Sequence, residues 1–125
     1  MKRIRTLAVA LIATVLMAAP VLAGGDAFKQ SALSWKKQAT DTRAAVVGVA
    51  EEIEKIGYKG NRDVEDLMRD AKEQLGKGDA SFKNGEKAMK AGDYEKASAE
   101  YNMAWQYYVK AATAGLNAKR ILTGR

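Results

Sequence analysis

Apolar residues recur along most of the chain at alternating steps of four and three, the spacing that lines one face of an α-helix. Phe28, Ala32, Trp35, Ala39, Thr42, Val46, Val49, Ile53 and Ile56 form the first such run. Asp26 stands at an N-cap position and Gly57 at the position just past the end, so the pattern predicts a helix over about residues 27–56. After the turn Gly57-Tyr58-Lys59-Gly60, with Asn61 or Asp63 as cap, the rhythm resumes at Val64, Met68, Ala71, Leu75, Gly78, Phe82, Gly85 and Met89. It keeps phase across Gly76-Lys77-Gly78, where a loop would normally reset it, and this favours one continuous helix over residues 62–90. The alternative is a break at Gly76–Gly78 with Asp79 capping a fourth helix. An interior glycine costs about 1 kcal/mol against alanine, so Gly78→Ala is expected to stabilise a continuous, uncrowded helix by up to that amount.

Ala91-Gly92-Asp93 is the clearest punctuation: Gly92 suits a helix end and Asp93 the next N-cap. The third helix is predicted from Tyr94 to about Leu122, with one stripe at Tyr94, Ala97, Tyr101, Ala104, Tyr108, Ala111, Gly115, Ala118 and Leu122. A second stripe beside it adds Trp105, Val109, Ala112 and Leu116, leaving Lys96, Gln106, Lys110, Thr113, Asn117 and Arg120 as a narrow polar side. Three helices of similar length, each about 45 Å long, joined by short turns, must lie antiparallel. The expected fold is therefore all-α: an up-down-up three-helix bundle in which the third helix, apolar over a wide face, touches both others.

The first 23 residues change the picture of the remainder. Lys2, Arg3 and Arg5 precede an apolar stretch from Thr6 to Ala19, Pro20 breaks it, and Val21 and Ala23 supply small residues at the −3 and −1 positions. These are the ordered regions of a secretory signal peptide cleaved after Ala23. The apolar run is short for a membrane span, and no Cys follows it to carry a lipid, so residues 24–125 are expected as one exported domain, periplasmic or secreted, with no stable membrane anchor. Taking those three cations from the 21 basic residues leaves 18 against 15 acidic ones, a net charge of +3 instead of +6. A nucleic-acid partner loses its support with them.

The chain has no His and no Cys, which excludes Cys/His zinc sites, His- or Cys-ligated haem, thiol nucleophiles and disulfides. Carboxylates crowd residues 51–73, but Arg62, Arg69 and Lys72 interrupt them and no calcium-binding loop is present, so they read as a solvated surface. Glu51–Lys55, Glu65–Arg69, Glu73–Lys77, Asp79–Lys83 and Glu86–Lys90 are spaced to pair along their own helices. Gly76, Gly78 and Gly85 lack the strand and the Gly-Lys-Ser/Thr ending of a phosphate loop. No motif supports catalysis, and no cofactor or metal is expected.

Five of the nine aromatics, Tyr94, Tyr101, Trp105, Tyr107 and Tyr108, sit on the third helix. Most fit a core lined by small residues on facing helices. Tyr107 falls off both stripes and is expected to face outward, with Lys83, Lys87 and Lys90 as a basic rim. Gly85, Gly92-Asp93-Tyr94, Ala97, Tyr101 and Ala104 together resemble one tetratricopeptide repeat over about residues 78–111: the small residue of its first helix, the turn, and the alanine–aromatic–alanine ladder of its second. Ser81, Asn84 and Val109 depart from that pattern, and no second copy follows. The resemblance implies protein or peptide binding without catalysis. The expected function is thus a protein-binding or scaffold module of the cell envelope, as a monomer or homo-oligomer, with Tyr107, Lys83, Lys87 and Lys90 as partner-binding candidates. The alternative is a stress chaperone with an exposed apolar helix face. Mass spectrometry of the exported protein is expected to give Gly24 as the N-terminal residue; an intact Met1 would contradict export by cleavage.

Overall fold

A computed structural model describes residues 25–124. The proposed signal peptide lies outside those residues. Three helices, α1 (Gly25–Ile56), α2 (Arg62–Lys90) and α3 (Tyr94–Thr123), form an all-α three-helix bundle. The alternative of a break at Gly76–Gly78 is overturned, because α2 runs through both glycines without interruption. Asp26, expected as an N-cap, instead lies in the first turn of α1, where its charge suits the positive end of the helix. Asn61 caps α2 by accepting from the Val64 amide, and Asp93 caps α3 by accepting from that of Lys96, each at 3.2 Å. Gly92 ends α2 at φ 76°, a conformation costly for any residue with a Cβ. Its amide donates to the Met89 carbonyl and that of Asp93 to the Ala88 carbonyl, the paired bonds of a Schellman cap.

The helices do not form an equal triangle. α1 and α2 each pack along the length of α3, but meet one another only sparsely. Alanine accounts for the intimacy with α3: Ala97, Ala104, Ala111 and Ala118 are wholly buried, as are Ala32 and Ala39 on α1. The core divides along its length. Near the α1–α2 turn it is aliphatic, built on Val49, Ile53, Val64, Met68 and Ala118. Toward the α2–α3 turn it is aromatic, with Tyr101 and Tyr108 buried, Phe82 edge-on to Tyr101 at 5.1 Å, and Trp35 against Trp105 at 5.3 Å between ring centroids. Phe28 and Ile56, the two ends of the α1 stripe, are largely exposed.

The tyrosines are seated in glycine sockets on α2. A Cβ at Gly78 would lie 2.5 Å from the Tyr108 ring, and one at Gly85 would lie 2.8 Å from that of Tyr101. The stabilisation anticipated for Gly78→Ala is therefore reversed: overpacking of about 1–3 kcal/mol outweighs a helix-propensity gain of about 1 kcal/mol. Gly76 is helical too, yet nothing lies within 4 Å of its added Cβ. Urea denaturation midpoints should move in opposite directions, upward for Gly76→Ala by up to about 1 kcal/mol and downward for Gly78→Ala.

Candidate functional site

Where α1 and α2 stand apart, their long charged side chains reach across the gap. Arg43 of α1 holds Asp79 of α2 with both arms of its guanidinium, Nε to Oδ1 at 2.8 Å and Nη2 to Oδ2 at 3.1 Å. The Tyr108 hydroxyl of α3 donates to Asp79 Oδ1 from below. One heptad along each helix, Lys36 Nζ meets Glu86 Oε1 at 3.0 Å, above Tyr101. A heptad further, Lys29 Nζ sits 5.6 Å from the centre of the Tyr94 ring, beside the Gly92-Asp93 cap. A layer of an α1 base bridged to an α2 acid, beside a glycine seated on an α3 tyrosine, thus occurs twice, one heptad apart; at the third register only Lys29 and Tyr94 meet, since Gly92 faces no ring and Asp93 caps α3. Lys29, Lys36 and Arg43, the pairs Gly78-Asp79, Gly85-Glu86 and Gly92-Asp93, and Tyr94, Tyr101 and Tyr108 all carry that spacing in the sequence.

This arrangement corrects the expected intrahelical pairs. Asp79 and Glu86 bond to α1 instead of to Lys83 and Lys90. The glycine before each acid lets α2 sit close on a tyrosine, which turns the acid toward the α1 side. Glu73–Lys77 does form, at 3.4 Å, whereas Arg69 takes Asp66 and not Glu65. At the aliphatic end, nearly buried Lys119 of α3 reaches Glu52 of α1, an ion pair that a stripe of apolar residues gave no reason to expect.

Between the Arg43–Asp79 and Lys36–Glu86 bridges lies an open cavity of about 440 Å³. Thr40 and Arg43 line it from α1, Asp79, Phe82, Lys83 and Glu86 from α2, and Tyr108 from α3. A second, shallower groove between α2 and α3 is lined by Asp70, Gln74, Lys110 and Asn117, among others. Of the expected binding residues, Lys83 faces the first cavity, while Lys87 and Lys90 are exposed further along α2. None of the three has a carboxylate partner among the described residues. Tyr107 is half-buried and lines neither cavity, with Lys110 Nζ 5.6 Å from its ring centre. The structure brings Lys83, Lys87 and Lys90 together on one helix and leaves Tyr107 apart from the cavity that Lys83 lines. Successive residues on a helix point about 100° apart; once Tyr108 is turned to Gly78, Tyr107 is turned away.

The electrostatics follow the geometry. Asp79 is held below the ordinary carboxylate range, first by the Arg43 hydrogen bonds and then by that of Tyr108, against partial burial. Burial, reinforced by Asp79, raises Tyr108 well above the usual phenol value. Burial also pushes Tyr101 up to about 12, with Glu86 contributing. The Tyr101 hydroxyl and the Trp105 indole nitrogen are buried without hydrogen-bond partners among the described residues. No cluster of His, Cys, Asp or Glu suited to a metal ion occurs among the described residues, and no helix among them is long and apolar enough to cross a membrane. Comparison with known proteins returns no match to a family model, a curated protein or a solved structure.

Both hydroxyls favour the neutral phenol in the folded state, so they contribute stability that is complete below pH 10.0 and is lost as pH rises through the raised folded values. Tyr108→Phe deletes a bond to a carboxylate and should cost about 1–2 kcal/mol at neutral pH. Tyr101→Phe deletes an unpaired buried hydroxyl and should fall within about 0.5 kcal/mol of wild type or stabilise. Urea titrations at neutral and alkaline pH check both, and the alkaline loss should be smaller in Tyr101→Phe.

Proposed function

We propose that the protein is an exported, non-catalytic binding or scaffold module of the cell envelope, periplasmic or secreted, which recruits a protein or peptide partner through the α2–α3 hairpin. The observation that carries this reading is the row of exposed lysines on α2. Lys83, Lys87 and Lys90 lie at spacings of four and three on one helix. Asp79 and Glu86, the acids that would otherwise screen them, are committed to α1. A row of unscreened cations draws acidic partners chiefly by raising the association rate. The repeat-like hairpin, with Tyr101 seated on Gly85 between Ala97 and Ala104, supplies a rigid support for that row.

The chaperone alternative needs a contiguous exposed apolar patch. The large apolar residues that are exposed are dispersed: Phe28 and Leu33 at one end, Ile56 and Ile121 at the other, and Met103 between them. This dispersion supports the scaffold reading. Recovery of partners from an envelope fraction tests it. Lys87→Glu/Lys90→Glu is expected to reduce recovery about tenfold, with binding that weakens as salt rises. Tyr107→Ala separates the two edges of the hairpin: loss there, with the lysine variant unaffected, would move the interface to the Tyr107 side of α3. Recovery unchanged by either variant, both folded, would remove the hairpin.

A further inference from the structure

We propose that the cavity between the Arg43–Asp79 and Lys36–Glu86 bridges is a binding site for a compact aromatic carboxylate. Its volume of about 440 Å³ lies within the roughly 300–1,000 Å³ of small-molecule sites. Arg43 and Asp79 line it toward one end and Glu86 toward the other, one heptad, about 10 Å, apart along the helix axis. A long acyl chain or a docked helix, about 10–12 Å across, exceeds that length; a flat molecule of one or two rings fits within it. The floor is formed by the rings of Phe82 and Tyr108, which suit edge-on or offset ring contacts.

Charge fixes the sign of the ligand. Asp79 is filled by two Arg43 donors and the Tyr108 hydroxyl, and Glu86 is paired with Lys36. Neither acid is left to receive a cation. Lys83 is the one cation on the lining without a carboxylate partner among the described residues. It stands at the rim of an apolar compartment, where a single carboxylate completes the balance. This site shares Lys83 with the lysine row of the partner-binding reading, but its ring floor is separate from that row, and the Lys87→Glu/Lys90→Glu variant leaves the cavity lining unchanged.

Isothermal titration calorimetry of the purified protein with 2-naphthoate, 2-naphthylmethanol and 2-naphthylmethylammonium tests the assignment. Naphthoate should bind about tenfold more tightly than the neutral alcohol, the increment of one charge-assisted bond, and the ammonium should bind more weakly than either. Lys83→Gln, an exposed change, should reduce naphthoate to the level of the alcohol and leave the alcohol unchanged. Thr40→Trp, also exposed, should fill the compartment and remove all binding while the urea midpoint stays near that of wild type. As a check that needs no variant, salt should weaken naphthoate but not the alcohol. Equal affinities for the three probes, no naphthoate binding up to roughly 10 mM, a Lys83→Gln protein that binds naphthoate as wild type does, or tighter binding of dodecanoate than of naphthoate would each overturn the proposal.

Discussion

Two tyrosine rings lie where no Cβ can be. Tyr108 over Gly78 and Tyr101 over Gly85 draw α2 onto α3 and fix how α2 is rotated about its own axis. That rotation decides the rest of the upper bundle. The acid after each glycine is turned away from its own lysines and toward α1. The bases of α1 therefore reach across a gap instead of α1 closing on α2, and the lysines of α2 are left bare. Exposed ion pairs contribute little stability one by one. Their effect here is positional: they span the gap and mark off a compartment over aromatic rings.

The division of the core gives the two ends of the molecule different work. The aliphatic end, with Val64, Met68 and Ile53 wholly or almost wholly buried, is a conventional packed core. The aromatic end carries polar atoms on its buried side chains, and they bring obligations: a hydroxyl bonded to Asp79, another with no partner, and an indole nitrogen with none. Polar groups without partners are costly when buried. Their place in the aromatic end, beneath the cross-helix bridges, sets that end apart as the place where this chain departs from packing alone.

Much of this was legible in the residues. Helix spans, the Gly92-Asp93 junction and the continuity of α2 follow from phase and capping chemistry, which are local. The destination of a charge is not local. Asp79 has Lys83 four residues on, as any surface acid might have, and only the seating of Gly78 against Tyr108 sends it elsewhere. Gly76 and Gly78 are the same residue type in one helix, yet one is open and one is a socket; the stripe placed Gly78 on the packed face, but its contact with a ring needed the register of α3. Lys119 shows the same limit, since a lysine at an apolar position is intelligible only once Glu52 is seen beside it. The heptad recurrence of base, glycine-acid and tyrosine was present in the chain throughout, and it spans three helices at once, which a search along one helix at a time passes over.

The sparse meeting of α1 with α2 has a consequence for how the chain assembles. α1 is followed directly by α2, but its packing is mainly against α3, where the Ser31–Ser98 and Glu52–Lys119 bonds each join residues 67 apart. Closing so long a loop costs more entropy than forming the α2–α3 hairpin, whose partners are neighbours in sequence. The hairpin is thus the natural nucleus, complete with its ring-and-glycine sockets, and α1 is the late arrival. Unfolding in reverse would release α1 first, opening the cavity while the hairpin with its lysine row stays intact.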